Sequence, residues 1–455
     1  MIRFFVCVCS FMFGCGGSAS QRPPLEMRVD FLRSVHPSLE RTLTAEDLDR
    51  LVAGAQDAQP SHALGAVRAL RRVLAGIGDA HLLTELPLPP PGEQSFVPFL
   101  VKEVAGVYLV DAAEGGIEVG SKVMSLNGIA IDALMERLAL LASVDSARPT
   151  VRWAEAERRF AELVRVELGP LARWTVELET RAGETQRRTV PGVSLERMAA
   201  LEQARRSAPF WGARGQALPT VTAHENFSVL RLLSFPLANR EIYLAEVEAI
   251  APELRAATHL AIDLRGNEGG DRSLGVAIAR HLIGKRFTQW QRVKARVREI
   301  EDRHRDFVTF PVGNPSTLSG FPGTPADGGW VYEGDPLAST MTPAAEEFPG
   351  RITLLVDDAT NSAAVEFAVA LLARHPRVSV VGRETQGECG WHMGQLPVVY
   401  GDGAWPAMVV SLFEIELVSY AGCRERRGIE PDQPVEYTQA DFDEGVDPYL
   451  KRVAR

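Results

Sequence analysis

The sequence predicts an α/β protein, because strand-like and helix-like segments alternate along its second half. Residues 259–264 (HLAIDL) and 351–356 (RITLLV) are short apolar runs typical of fully buried strands. Helical patterns follow them at residues 273–283 and 363–373, and another precedes the first run at residues 240–256. Strands that alternate with helices in this way indicate a sheet layer covered by helices.

The composition is typical of a globular protein with more than one domain. The chain has 455 residues, of which 45% are hydrophobic, 24% charged and 7% aromatic. This length exceeds one ordinary domain, and the apolar content is enough to bury a large core. The net charge of −10, with basic residues scattered among acidic ones, argues against a nucleic-acid partner.

The first residues have the pattern of an export signal. Arg3 precedes an apolar run at residues 4–13, which is too short to span a membrane as a mature helix. The run ends in Met-Phe-Gly-Cys15, which is similar to a bacterial lipoprotein signal. Cys15 is then the expected lipid attachment, residues 1–24 are signal and tether, and a periplasmic or cell-surface lipoprotein held at the membrane by its lipid is expected. Simple secretion or a retained anchor are the alternatives.

Residues 25–92 are predicted to form an N-terminal helical region. Thr44 to Asp47 resembles a capped helix start, and residues 63–75 are strongly amphipathic. The pattern ends in Gly-Ile-Gly-Asp-Ala-His81, and a proline-rich linker follows. His81 therefore lies in a glycine-flanked turn, where a lone histidine is usually only a surface residue.

Residues 93–192 alternate short strand-like runs with turns. The run at residues 120–128 (GSKVMSLNG) resembles the strand and turn of a PDZ domain, with a helical insertion at residues 131–168. PDZ domains bind extended peptides by adding a strand to a sheet edge, so the expected ligand is a polypeptide. A β-rich packing module without a peptide groove is the alternative.

The remaining part, residues 193–455, holds a candidate nucleophile. Ser362 falls at a strand-to-helix turn (VDDATNSAAVE), where unpaired N–H groups and the helix dipole can stabilise an oxyanion. Taken alone, such a serine is more often a helix N-cap. The glycine-rich turn at residues 265–270 (RGNEGG) is not a phosphate loop, because no Gly-Lys-Ser/Thr follows it.

Two further features of this region each allow two interpretations. Removal of the signal leaves Cys389 and Cys423, which can pair in an oxidising compartment or stay as buried thiols. Residues 285–350 are rich in charged residues, glycine and proline, and we expect irregular loops there, either a substrate rim or a solvated insertion.

Four motifs in order resemble the C-terminal processing and tricorn-type serine protease family. They are LAIDLRGNEGGD, ITLLVDDATNSAAVEFA, VVGRETQGECG and RRGIEPDQPV. The resemblance implies a crotonase/Clp-protease-like α/β protease core, with Ser362 as the nucleophile and with no metal and no cofactor.

Two catalytic arrangements occur in that family, and the residues here distinguish them. One pairs the serine with a lysine about 25 residues downstream, but Glu388 stands at the matching position and only Lys451 follows Ser362. The tricorn-like branch uses a histidine from a D-x-H turn and a glutamate before a Gly-Ile-x-Pro-Asp motif. Its pattern implies a triad of Ser362, His81 and Glu425.

The resemblance also implies an oxyanion site and a disulfide near Glu425. The N–H of Ala363 and the N–H of Gly269 or Gly270 would bind the tetrahedral oxygen. Glu268 departs from the family's glycine-rich pattern, and we expect its carboxylate to point away. A disulfide between Cys389 and Cys423 would brace the turn that carries Glu425.

The sequence thus predicts an exported serine endopeptidase that acts on extended polypeptides through an acyl-enzyme. The first alternative is a binding protein of the same fold with a degenerate triad. The second is a crotonase-like acyl-CoA enzyme, which would bind coenzyme A and would have no reactive serine.

Overall fold

The structure is a computed structural model, and it describes residues 24–57, 62–84, 86–208, 218–310, 323–326, 328–333, 340–403 and 405–454. Within these ranges no helix combines the length and the apolar character needed to cross a membrane. The expected signal and its Cys15 lie outside the described residues.

The N-terminal region consists of three α-helices and a short strand: α1 (Pro24–Val35), α2 (Ala45–Asp57), α3 (Gly65–Ile77) and β1 (Leu83–Thr84). The expected capped start of α2 is confirmed, because Asp47 N–H donates to Thr44 Oγ1 and Thr44 N–H donates to the Asp47 carboxylate, both at 3.1 Å. Helix α3 ends at Gly78, whose φ of 77° is a conformation that favours glycine. The chain then turns, and this turn carries His81.

The β-rich region is an antiparallel sheet with helices inserted in one connection. Its elements are β2 (Phe99–Val104), β3 (Val107–Ala113), β4 (Lys122–Leu126), β5 (Ile129–Ala130), α4 (Ile131–Ala139), α5 (Pro149–Arg158), α6 (Phe160–Leu168), β6 (Arg173–Glu179), β7 (Thr185–Pro191) and α7 (Leu195–Gln203). The strands lie in the order β2-β3-β4-β6-β7, with β5 beside β4. Helices α4 to α6 occupy the segment where the sequence predicts a helical insertion.

The C-terminal region contains two sheets and the helices that cover them. Its elements are β8 (Thr220–Ala223), β9 (Ser228–Arg231), α8 (Arg240–Ala256), β10 (His259–Asp263), α9 (Arg272–Leu282), β11 (Trp290–Ala295), α10 (Asp302–Arg305), β12 (Val308–Thr309), β13 (Thr324–Ala326), β14 (Gly329–Tyr332), β15 (Arg351–Val356), α11 (Ala363–Arg374), β16 (Val378–Gly382), β17 (Trp391–Tyr400), β18 (Met408–Leu417), β19 (Gln433–Pro434), α12 (Gln439–Glu444) and α13 (Pro448–Val453).

The first of these sheets confirms the predicted α/β layer. Its order is β19-β16-β15-β10-β9-β8, and all pairs are parallel except β8 with β9. Strand β10 is buried throughout and β15 is buried except at Arg351, which explains their continuous apolar sequences. Because β10 and β15 are parallel neighbours, the turns that follow Asp263 and Val356 meet at the same edge.

The second sheet shows that the prediction of irregular loops for residues 285–350 was wrong in part. Its order is β12-β17-β18-β11-β14-β13, so β11 is a central strand. Arg292 of β11 lies opposite Glu416 of β18, and their side chains approach to 2.8 Å. The charged residues that suggested a solvated loop therefore form cross-strand pairs on a half-buried strand.

The N-terminal helices share a hydrophobic core with the hairpin of β17 and β18. The ring of Phe31 in α1 stacks on Tyr400 of β17, with centroids 4.2 Å apart. Strand β1 pairs with β18 and places Leu83 opposite Val409. These two attachments fix the ends of the segment that carries the His81 turn onto the second sheet.

A disulfide joins Cys389, in the loop after β16, to Cys423, in the loop after β18, with Cα atoms 5.7 Å apart. Beside it, the N–H of Cys389 donates to the carbonyl of Arg427 at 2.9 Å. The disulfide thus links the loop of Glu388 to the loop of Glu425.

This linkage predicts the alkylation pattern of the mature chain. A protein that begins at Gly16 contains only Cys389 and Cys423, so denaturation and alkylation without reductant should add no mass. Reduction should add two alkyl groups, and Cys423→Ala should add one without reduction. Two reactive thiols in the unreduced wild-type protein would contradict the disulfide. Intact mass spectrometry makes the measurement.

Candidate active site

Ser362 lies in the turn between β15 and α11, directly before the first residue of the helix. Its φ of 55° and ψ of −130° are unusual for a residue with a side chain, and such strained positions cluster at functional sites. The Ser362 hydroxyl accepts no hydrogen bond from the N–H groups of α11. Ser362 therefore does not form the hydrogen bond that defines a helix N-cap.

The glycine turn after β10 packs directly against Ser362. A Cβ atom on Gly269 would lie 2.9 Å from Ser362 Oγ and 2.8 Å from the backbone nitrogen of Ala363. A Cβ atom on Gly270 would lie 1.8 Å from the carbonyl oxygen of Phe235. Both glycines also have positive φ, at 93° and 123°. Only glycine fits at either position, so bare backbone faces the serine hydroxyl and the start of the helix.

The N–H groups expected to bind an oxyanion differ in availability. The N–H of Gly269 donates to Asn267 Oδ1 at 2.9 Å and is already engaged. The N–H groups of Ala363 and Gly270 have no acceptor within the described part of the chain. Ala363 and Gly270 are therefore the two candidate donors that this conformation leaves free.

His81 lies in a turn held by two carboxylates. Asp79 Oδ1 accepts the backbone N–H of His81 at 2.7 Å and lies 3.5 Å from His81 Nδ1. Asp79 Oδ2 is 3.3 Å from His36 Nε2. Asp145, from the connection between α4 and α5, accepts the backbone N–H of Ala80 at 2.6 Å. These contacts fix the turn and place carboxylates beside the imidazole.

Strand β17 closes another side of the His81 ring. A Cβ atom on Gly394 would lie 2.6 Å from His81 Cδ2 and 2.7 Å from Nε2. The ring of His392 packs edge-on, with centroids 4.8 Å apart. His392 Nε2 lies 3.3 Å from the carboxylate of Glu366, which is in the first turn of α11. The His81 ring thus connects, through His392 and Glu366, to the helix that begins after Ser362.

The carboxylates near His81 favour its protonated form. Burial works against the positive charge, but the Asp79 carboxylate, 3.5 Å from Nδ1, and the charges of Asp145 and Glu366 outweigh it and raise the pKa of His81. For His392, burial and the charge of His81 hold the pKa well below its usual range. The site therefore pairs a readily protonated imidazole with a neutral one.

The structure does not bring Glu425 to His81. Glu425 is exposed, and no contact joins the two within the described residues. A buried acid, Glu388, lies beside the residue that follows Glu425. It accepts the N–H of Arg426 at 2.8 Å and a hydrogen bond from Arg41 at 2.9 Å. Arg41 supplies the counter-charge that the buried Glu388 needs, whereas Glu425 has no such partner among the described residues and its side chain is exposed.

Glu268, which we expected to point away from the oxyanion site, pairs with Arg158 of α5. Asp145, Glu366 and His392 were not identified from the sequence. Asp145 follows α4 in the helical insertion, and no motif spacing relates that segment to the D-x-H turn.

One group of three acidic or histidine side chains within the described ranges has its polar atoms within 4.8 Å of one another: Asp79, His81 and Asp145. One oxygen of each carboxylate already accepts a backbone N–H of the His81 turn. We therefore interpret the group as the electrostatic surroundings of the imidazole.

Comparisons with known proteins concern the family and the fold. Residues 226–435 match the model of peptidase family S41. Solved structures similar to this chain are mature CPAF (TM-score 0.63, 15% identity, 94% of this chain and 94% of that chain) and mature CPAF complexed with lactacystin (0.62, 15%, 94% and 96%). A CPAF mutant has a TM-score of 0.64 at 14% identity, over 94% of this chain and 95% of that chain. A search of curated proteins finds no match.

At such identities the structural likeness shows the fold, and the expected crotonase/Clp-protease-like α/β protease core is confirmed. The motifs on β10, β15 and the following turns lie within the matched range. Through residues 226–435 the chain matches peptidase family S41, which supports the resemblance to the C-terminal processing and tricorn-type serine peptidases.

Proposed function

We propose that the protein is an exported serine endopeptidase that cleaves extended polypeptides, with Ser362 as nucleophile and His81 as general base. The peptidase family supports the reaction class and the polypeptide substrate. The observation that carries the assignment is the turn of Ser362. Its backbone is strained, its hydroxyl does not cap the helix that follows, and Gly269 packs against it. Export rests on the signal pattern before Cys15, with lipidation of that cysteine as the membrane anchor.

The reaction follows the usual course of a serine acyl-enzyme. His81 accepts the hydroxyl proton of Ser362 while Oγ bonds to the carbonyl carbon of the substrate. The oxyanion then accepts hydrogen bonds from the N–H groups of Ala363 and Gly270, each worth about 3 kcal/mol. His81 returns the proton to the leaving amine as the C–N bond breaks, and water hydrolyses the acyl-enzyme by the same steps in reverse order.

We infer that Asp79, and not Glu425, is the acid that orients His81. Asp79 lies 3.5 Å from His81 Nδ1, whereas Glu425 is exposed. An acid on the Nδ1 side holds the imidazole and stabilises its protonated form during the reaction. We therefore assign this role to Asp79. A substitution of Glu425, the acid expected from the motif, provides the comparison that tests this assignment.

A catalytically degenerate binding protein of the same fold is the second candidate. It is favoured by one observation: within the described residues no hydrogen bond joins His81 to Ser362. The reactivity of Ser362 separates the two candidates.

A fluorophosphonate probe should label the folded mature protein, because the hydroxyl of Ser362 is activated by His81. Ser362→Ala and His81→Ala should abolish labelling. Ser194→Ala is the matched control, because Ser194 is an ordinary N-cap that accepts the N–H of Arg197. In-gel fluorescence makes the measurement, and an unlabelled wild-type protein would favour the binding protein.

Replacement of Gly394 should disable the site through the position of His81. In Gly394→Ala the new methyl group meets the imidazole at under 3 Å, so the ring must move. A displacement of about 1 Å can cost on the order of 100-fold in rate. Gly403→Ala is the control, because Gly403 also has positive φ, but no atom of the described residues lies within 4 Å of the added Cβ. Equal labelling rates for the two variants would contradict the described position of His81.

The assignment of the orienting acid predicts unequal effects of two isosteric substitutions. Asp79→Asn should lower kcat/KM by roughly 100-fold or more, because it removes the charge beside Nδ1. Glu425→Gln should change kcat/KM by less than about 3-fold, as expected for an exposed side chain without a contact to His81. Hydrolysis of an unfolded protein substrate measures both, and the reverse order of effects would restore Glu425 as the triad acid.

A further inference from the structure

We propose that Asp145 is a positioning residue for His81, so that the helical insertion of the β-rich region completes the active site. The proposal rests on the catalytic role of His81 given above. Asp145 is not part of any of the four motifs, and it reaches the site from the connection between α4 and α5.

The side chain of Asp145 is buried against the His81 turn. It is 8% exposed, and its Oδ1 accepts the N–H of Ala80 at 2.6 Å. Its Oδ2 is buried and has no hydrogen-bond partner within the described residues. A buried carboxylate oxygen without a donor is costly unless a positive charge lies near it. The protonated imidazole of His81 supplies that charge, because polar atoms of the two side chains lie within 4.8 Å.

The segment that carries Asp145 is docked on the protease core by its next two residues. The N–H of Ser146 donates to the carbonyl of Gln386 at 3.2 Å, and its hydroxyl donates to Glu384 at 3.0 Å. The N–H of Ala147 donates to the carbonyl of Arg426 at 2.9 Å. The position of the carboxylate is therefore specified by the loops after β16 and β18.

The same insertion also contacts the other side of the site. Arg158, at the end of α5, pairs with Glu268 in the glycine turn that packs against Ser362. A carboxylate beside an oxyanion site opposes the developing negative charge, and this ion pair compensates it. The helical insertion thus supplies a carboxylate beside His81 and an arginine that pairs with the acidic residue of the glycine turn.

Charged groups of both signs surround His81 and Asp145. Burial raises the pKa of Asp145 to about 7, and the charge of His81 acts in the opposite direction. The other titratable groups that act on His81 or Asp145 come from several elements: Asp79, Glu366, His392, Glu388 and Arg41. Loss of the charge at Asp145 should therefore lower the pKa of His81.

Asp145→Asn tests the proposal, because the amide keeps an acceptor for Ala80 N–H and removes the charge. The acid limb of kcat/KM should move about one pH unit lower, and kcat at pH 8 should fall roughly 10-fold with little change in KM. Asp145→Ala should show the same shift with a larger loss of rate. Asp132→Asn, an exposed acid in the first turn of α4, should change neither.

A second measurement separates this proposal from the proposed function. Imidazole NMR, with the His81 signal identified by His81→Gln, should show a lower His81 pKa in Asp145→Asn than in the wild-type protein. An unchanged His81 pKa would overturn the role of Asp145, whatever the fluorophosphonate result. A lowered pKa in a protein that the probe does not label would overturn the peptidase function and leave the link between Asp145 and His81 standing.

Discussion

The close approach of Gly269 to Ser362 is the constraint on which the core of this protein depends. Strands β10 and β15 are parallel neighbours, so their following turns meet, and a side chain at Gly269 would collide with the serine. The missing Cβ lets the serine adopt its strained backbone while the helix N-terminus stays open beside it. The absence of a side chain at Gly269 thus allows the turns after β10 and β15 to contact each other at Ser362.

The histidine reaches this edge from a different part of the fold. Its turn is fixed by the end of α3 at Gly78, by the pairing of β1 with β18 and by the carboxylates of Asp79 and Asp145. The N-terminal helices pack on the same hairpin through Phe31 and Tyr400. The helical region, the β-rich region and the protease core therefore each hold one side of the histidine turn.

Local patterns predicted the α/β core well, because β10 is buried throughout, β15 is buried except at Arg351, and α11 is an apolar, alanine-rich helix. They failed for β11, whose charged residues pair across the sheet and resemble a loop when the partner strand is unknown. The turns of Ser362 and His81 followed from ordered motifs. Asp145 and the pairing of Glu388 with Arg41 could not be found this way, because these contacts depend on tertiary packing and not on spacing along the chain.

The separation of His81 and Ser362 along the chain has a consequence for the timing of activity. The ribosome produces the imidazole turn before the β-rich region and the serine turn only in the second half of the core. With the proposed roles of His81 and Ser362, a chain released before β15 carries the base without the nucleophile. A chain that ends before β15 should therefore show no hydrolytic activity by the proposed mechanism.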